Sequence, residues 1–125
     1  MITSPYDKYK QNSVQTSTPG QLVIMLYDGA LRFVKAGLDG IETKDYYKAN
    51  MNLGKAQTII SELMSTLNQA YPVAKDLFAL YEYMNHLLIQ ANIKKDKSLG
   101  EEAIGYLLEL RETWVLVNKQ TAGTL

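Results

Sequence analysis

The sequence predicts an all-α protein, an antiparallel up-down four-helix bundle preceded by a short N-terminal arm or helix. Three observations lead to this prediction. Apolar residues recur at helical spacing over long stretches, capping residues and prolines separate these stretches, and the connections contain only a few residues. Short connections between long helices favour antiparallel neighbours.

Composition limits the classes of partner. The chain has 125 residues, 46% of them apolar, which suits one domain with a single hydrophobic core. Acidic and basic residues balance at 13 each, so there is no basic excess to hold nucleic-acid phosphates or to anchor the chain on a membrane. A neutral chain opposes self-association only weakly, which is compatible with a weak homodimer.

Cysteine is absent, which excludes disulfides, zinc–thiolate sites and cysteine nucleophiles. The N-terminus lacks the basic and apolar segments of a signal peptide. No stretch reaches the roughly 18–20 apolar residues of a membrane span. We therefore expect a cytoplasmic protein without membrane insertion.

Capping signals indicate where the first helix begins. Thr18 can act as the N-cap, Pro19 suits the first helical position, and Gln21 can complete a capping box. We expect this helix to end near residues 40–43.

Capping and helix-breaking residues also mark the ends of the second and third helices. The second should begin after Asp45, a favourable N-cap, and continue to about Gln69. Pro72 then breaks the chain and can open the third helix, which should continue to about Lys95.

A second capping box, at residues 98–101, predicts the start of the fourth helix, which should end near Asn118. These boundaries divide the chain into three parts. Residues 1–17 form an arm or a short capping helix, residues 18–118 form the four-helix bundle, and residues 119–125 form a flexible tail.

Helical spacing divides the third and fourth helices into a core stripe and a second apolar stripe. The core stripe of the third helix comprises Val73, Leu77, Leu80, Tyr81, Met84, Leu87, Leu88 and Ala91. That of the fourth comprises Leu99, Ala103, Tyr106, Leu107, Leu110, Trp114 and Val117.

The residues off these stripes suggest a groove for a partner helix. Exposed apolar patches usually mark interaction sites, and small uncharged side chains allow another backbone to approach. The candidate groove residues are Phe78, Asn85, Ile89 and Ile93 on the third helix, Ile104, Leu108 and Val115 on the fourth, and Gln57 and Ser61 on an uncharged flank of the second. The alternative is that the apolar members are edge-of-core positions in wide apolar arcs.

The N-terminal arm contains three residues that can dock on an apolar surface, Tyr6, Tyr9 and Val14, in an otherwise polar stretch. A tyrosine offers a large contact area with a polar tip. We hypothesise that these residues cap part of the groove in the free protein. The alternative is a frayed terminus.

No constellation of residues suggests catalysis. His86 is the only histidine and has no partner histidine or cysteine. The Glu-x-x-His motifs of a bundle di-iron site and the glycine-rich phosphate loops are absent. We therefore predict no enzyme activity, no catalytic residue, no metal and no cofactor.

An ordered series of short strings runs from about residue 5 to residue 118. It comprises YDKYKQNSV at residues 6–14, TPGQL at 18–22, MLYDGA at 25–30, KAQTII at 55–60, LN at 67–68, LYEYM at 80–84, AN at 91–92, EE at 101–102, and the single residues Asp96 and Trp114. In order and spacing this series resembles the FliS family of flagellin export chaperones.

The resemblance implies a cytoplasmic chaperone that binds the disordered C-terminal segment of flagellin. Such a protein prevents premature polymerisation of flagellin and delivers it to the gate of the flagellar type III export apparatus. The implied partners are flagellin, an export gate component and other flagellar regulators. The resemblance also implies a helical bundle whose N-terminal arm can lie over part of the binding surface.

Two other functions are compatible with the bundle itself. One is an adaptor or homodimerisation module that uses the same apolar stripes for self-association. The other is a metal-dependent bundle enzyme, which the missing ligand residues disfavour.

Overall fold

A computed structural model of the chain describes residues 19–124. The regular elements within them are the helices α1 (Pro19–Glu42), α2 (Tyr46–Ser65), α3 (Val73–Lys94) and α4 (Lys97–Thr124). This confirms the predicted all-α four-helix fold. The arm residues Tyr6, Tyr9 and Val14, and the Thr18 cap, lie outside the described residues.

The four helices form a closed ring. Helices adjacent in the chain pack against each other, and α1 also packs against α4. Gly20 at the start of α1 lies beside Asn118 near the end of α4, and Lys97 at the start of α4 pairs with Glu42 at the end of α1, at 2.9 Å. These helices are therefore antiparallel, and the α2–α3 side of the ring lies opposite the α1–α4 side.

The α2 helix begins where the sequence predicts but ends earlier. Asp45 accepts a hydrogen bond from a backbone N–H of the first turn, at 3.1 Å. The last helical residue is Ser65, so the predicted end near Gln69 was wrong. The Thr66 hydroxyl donates to the carbonyl of Leu63 at 2.7 Å, and such local side-chain bonds compete with continued helix.

Asp96, and not Ser98, caps α4. The backbone N–H and the hydroxyl of Ser98 both donate to Asp96 Oδ1, at 2.9 and 2.6 Å, and these bonds lower the pKa of the Asp96 carboxyl. The capping box predicted at residues 98–101 was wrong. Because α3 ends on Lys95 in the left-handed conformation, with φ 52°, the chain turns at once and Asp96 stands at the start of α4.

The end of α4 also differs from the prediction. The helix continues to Thr124, so residues 119–124, which were expected to belong to a flexible tail, extend α4. No proline interrupts this stretch, and adding a residue to an existing helix requires no new nucleation.

The core is built from the inward stripes of all four helices. Its larger buried members are Tyr27, Leu31, Val34, Leu38, Leu53, Ile60, Leu63, Tyr81, Met84, Leu87, Leu88 and Leu107. Val73 and Val117 were predicted to be core residues, but their side chains are 57% and 42% exposed. Both lie near the end of the bundle where α1 begins, so less of the bundle covers them than covers the core residues further inside.

Glycines bring α1 close to α2. A Cβ atom on Gly40 would lie 2.6 Å from the backbone nitrogen of Ala49, and one on Gly37 would lie 2.6 Å from Cγ of Leu53. Distances below 3 Å are almost never seen for real Cβ atoms. The α1–α2 packing therefore requires glycine at these positions.

We predict that Gly40→Ala lowers the free energy of unfolding by about 1–3 kcal/mol, because the obstructing atom belongs to the α2 backbone and the helix must shift. Gly105→Ala is the matched control, since Gly105 lies inside α4 with open space around it. That change should stabilise the protein by roughly 0.5–1 kcal/mol through helix propensity. Urea unfolding followed by circular dichroism measures both, and a Gly40→Ala variant as stable as wild type would contradict the close approach.

Candidate functional site

The α2–α3 side of the bundle carries most of the candidate groove residues. We define the α2–α3 surface as Gln57 and Ser61 from α2 together with Phe78, Asn85, Ile89 and Ile93 from α3. The apolar members are exposed, with Phe78 at 37%, Ile89 at 41% and Ile93 at 70%. None of the six residues is charged, but the exposed Glu82 shares their face of α3, between Phe78 and Asn85. This side therefore offers an apolar and hydrogen-bonding surface that includes a carboxylate.

A hydrogen bond fixes how this surface is assembled. Nδ2 of Asn85 donates to Oγ of Ser61 at 3.3 Å, which joins the flank of α3 to the uncharged flank of α2. Phe78, Asn85 and Ile89 are separated by seven and four residues, the spacing that keeps side chains on one helical face. The apolar stripe of α3 therefore lies along the α2–α3 boundary.

The candidate residues of α4 do not join this surface. Ile104, Leu108 and Val115 share a helical face with Arg111, and Arg111 pairs with Asp28 of α1. This face therefore borders α1, on the side of the ring opposite the α2–α3 surface. Leu108 is 46% exposed, whereas Ile104 and Val115 are half-buried. The structure thus divides the nine candidate groove residues between two sides of the bundle.

The sequence reading missed an apolar pocket of about 390 Å³ at one end of the bundle. It is formed where α1 begins, α2 and α3 connect, and α4 approaches its end. Its walls include Leu22, Val23, Leu26, Leu67, Leu77 and Trp114. The sequence signal for this pocket was Val73, which was wrongly assigned to the core, together with the nearby Val117. An apolar stripe that extends beyond the end of the neighbouring helix leaves space there.

A buried pair of tyrosines lies beneath this pocket. The hydroxyls of Tyr27 and Tyr81 are 2.6 Å apart, and Tyr81 contributes to the pocket wall. Trp114 contributes to the same wall. Burial, reinforced by the bond to Tyr81, raises the pKa of Tyr27 well above its ordinary value, and burial also raises the pKa of Tyr81.

Comparison with known proteins identifies the family. Residues 2–121 match the family model described as flagellar protein FliS. The chain belongs to the FliS family.

Three relatives illustrate how far the similarity extends. The flagellar secretion chaperone FliS of Bacillus subtilis strain 168 is 45% identical over 113 residues, which cover 90% of this chain and 85% of that protein. FliS of Salmonella typhimurium strain LT2 is 31% identical over 115 residues, covering 90% and 85%. FliS of Escherichia coli strain K12 is 32% identical over 108 residues, covering 83% and 79%.

FliS is a family of chaperones and not of enzymes, so this FliS-family chain is not an enzyme. Across residues 19–124 no three His, Cys, Asp or Glu side chains come together in a way that could hold a metal ion. His86, the only histidine, is an exposed residue of α3.

Within the same part of this FliS-family chain, none of the helices combines the length and the hydropathy needed to cross a bilayer.

The tyrosine pair leads to a prediction for alkaline pH. An unfolded tyrosine ionises near pH ~10, whereas Tyr27 and Tyr81 have raised pKa values in the fold. The stability that they contribute is therefore fully present below about pH 10 and is lost as the pH rises further. In an absorbance titration of the nine tyrosines, a fraction should ionise only when the protein unfolds.

The Tyr27→Phe variant tests how much the buried tyrosine pair contributes to stability. It leaves the buried Tyr81 hydroxyl without its hydrogen-bond partner and should lower the free energy of unfolding by about 1–3 kcal/mol at neutral pH, with a smaller further loss above pH ~10. Ionisation of every tyrosine near pH ~10 with the fold intact would contradict the buried pair.

Proposed function

We propose that this chain is an export chaperone that holds the C-terminal segment of flagellin in the cytoplasm, prevents its premature polymerisation and delivers it to the flagellar type III export apparatus. Membership of the FliS family implies a flagellar substrate. The single observation that carries the proposal is the exposed, largely apolar α2–α3 surface, with Phe78, Ile89 and Ile93 open to solvent.

The proposed mechanism is substitution of one apolar partner by another. An amphipathic segment that would pair with other flagellin copies can instead bury its apolar face on α3, in the manner of a helix in a groove. Gln57 and Ser61 are uncharged and Ser61 is also small, so the backbone of the segment can approach α2. No nucleotide or catalytic group takes part, because binding alone removes the segment from polymerisation.

A disordered client loses conformational entropy when it is held, so a large contact surface is expected. The α1–α4 side can supply the additional area through Leu108, with Ile104 and Val115 beside it. A client that uses both sides must pass around the bundle.

The N-terminal arm is proposed to regulate access to the client-binding surface. The arm precedes α1 in the sequence, and Gly20 and Leu22 in the first turn of α1 line the pocket at the end of the bundle. Tyr6, Tyr9 and Val14 are the arm residues that suit such a cavity. A weak intramolecular cap would protect the apolar surface until the client displaces it.

Further partners follow from the same role. An export gate component must receive the loaded chaperone, and other flagellar regulators can compete for the apolar surface. Without a client, that surface can support a weak homodimer. A chain whose only activity is self-association through the α2–α3 surface is the alternative that the first experiment below tests.

We predict that Phe78→Asp and Ile93→Asp each weaken binding of the flagellin C-terminal segment about tenfold or more, because burying an apolar side chain of this size contributes roughly 1.5–3 kcal/mol. Melting should remain near that of wild type, above all for Ile93→Asp, whose side chain is largely exposed. Calorimetric titration measures the affinity and circular dichroism the fold.

Leu108→Asp provides a matched comparison on the opposite side of the bundle. A similar loss of affinity would place the client on both sides, and unchanged affinity would restrict it to the α2–α3 surface. Wild-type protein that dimerises but does not bind the flagellin segment would overturn the proposed function.

We predict that deleting residues 1–13 increases self-association and changes the affinity for the flagellin segment, while the melting temperature changes little. The reason is that an uncovered apolar surface pairs more readily. Sedimentation analysis and calorimetry test both effects, and hydrogen exchange around Tyr9 in the full chain should change when the client is added. Unaltered association and affinity, with rapid exchange in both states, would rule out a gating role.

A further inference from the structure

Tyr83 of α3 and Tyr106 of α4 form an aromatic pair around one carboxylate, on the flank of α3 that faces α4. The ring centroids are 6.1 Å apart and the ring planes meet at 73°. The Tyr83 hydroxyl donates to Glu102 Oε2 at 2.8 Å, and the Tyr106 hydroxyl lies 3.5 Å from the same oxygen. Tyr83 is 44% exposed and Glu102 is exposed, so an aromatic ring and a carboxylate are accessible side by side.

Further carboxylates lie on the same side of the bundle. Asp76 precedes Tyr83 by seven residues on α3, and Glu109 follows Glu102 by seven residues on α4, a spacing that keeps side chains on one helical face. All three carboxylates are exposed. We define the α3–α4 surface as Asp76, Tyr83, Glu102, Tyr106 and Glu109.

The negative charge on this side of the bundle has no local counterpart. Residues 76–93 and 98–110 contain five carboxylates and no lysine or arginine. The acidic residues Asp28, Asp39 and Glu42 of α1 each pair with a basic side chain, whereas no carboxylate of the α3–α4 surface forms an ion pair within the described part of the chain. This side therefore presents a negative potential that the fold itself does not compensate.

The exposed ring also lacks the cation that covers other aromatic rings of this chain. Lys55 Nζ lies 5.4 Å from the ring centre of Phe33, and Lys95 Nζ lies 5.2 Å from that of Tyr46. Among the described residues, no lysine or arginine lies over Tyr83 in this way. An aromatic ring beside a carboxylate without a basic partner attracts an ammonium or guanidinium group, so the surface is suited to a cation from another molecule.

We propose that the α3–α4 surface binds a basic helix of a second protein partner, with an arginine or lysine over Tyr83 and Glu102 and another two turns further along. Glu109 lies about 10 Å from Glu102 along α4, so basic residues seven positions apart on a helix parallel to α4 reach both carboxylates. Charge complementarity selects this occupant, because an acidic segment is repelled and a purely apolar one would desolvate the carboxylates without pairing them.

This inference goes beyond the proposed function. The α3–α4 surface contains none of the residues assigned to the client, and it lies on the flank of α3 opposite the α2–α3 surface. The basic partner therefore binds in addition to the client and does not replace it.

The experiment titrates the full chain with a labelled helical peptide of alanine and leucine that carries two arginines seven residues apart. One matched peptide has glutamine in place of both arginines, and another has the arginines five residues apart and thus on different faces. The first peptide should bind at least about fivefold more tightly than either of the others, and its affinity should fall as salt is added. Fluorescence anisotropy measures the affinities.

Variants of the chain locate the site. Glu102→Gln and Tyr83→Ala should each weaken binding of the first peptide about three- to fivefold, because one removes a charge and the other a ring. Tyr83→Phe retains the ring and should stay within about twofold of wild type. Glu62→Gln is the matched control, since it makes the same change of charge at an exposed position on α2 and should leave the affinity unchanged. Circular dichroism confirms that each variant is folded.

Equal binding of the three peptides would overturn the proposal. An equal loss in Glu62→Gln would also overturn it, because the attraction would then follow from net charge alone. Stronger binding after deletion of residues 1–13, which include Lys8 and Lys10, would assign the surface to the chain's own arm and not to a partner.

A last titration separates this surface from that of the client. With the α2–α3 surface saturated by the flagellin segment, the peptide should bind with unchanged affinity, and competition between the two would overturn the proposal. If the chain binds no flagellin segment, only the proposed function fails, because the peptide titrations of the free chain do not involve flagellin.

Discussion

The close approach of α1 to α2 is the constraint on which the rest of this bundle depends. Gly37 and Gly40 let the two helices meet almost backbone to backbone near their connecting turn. Larger side chains, Leu22 and Leu26 of α1 and Leu67 beyond α2, occupy the other end, where the apolar pocket lies. The bundle is therefore tightly closed at one end and open at the other.

This asymmetry determines where binding energy is available. The well-packed central core gives little access to a ligand, since interiors at normal packing density have few voids. The exposed apolar groups lie instead along the α2–α3 boundary and at the open end, where Val73 and Val117 are only partly covered. A chaperone requires this combination, because the scaffold must stay folded while the surface remains available to an unfolded client.

Polar groups within the bundle have two different roles. The Tyr27–Tyr81 pair is buried and hydrogen-bonded, and it connects α1 and α3 beneath the pocket. Asn85 is only partly satisfied and lies on the surface proposed for the client. A satisfied buried network stabilises one arrangement of the helices, whereas the exposed Asn85–Ser61 bond joins α3 to α2 at the surface.

The sequence by itself determined the helices and most of their ends. The 3.6-residue period identified the inward stripes, and Asp45 correctly marked the start of α2. The N-cap of α4 was assigned wrongly from the sequence. Asp96 and Ser98 are both suitable N-cap residues, and the choice between them depends on how the preceding helix ends. Only the tertiary structure decided which neighbour each flank faces. The residues off the core stripes include Ile89 on α3 and both Ile104 and Leu108 on α4. The order of the helices in the ring places Ile89 on one side of the bundle and the two α4 residues on the other. A helical period shows which residues share a face, but it contains no information about which helix packs against that face.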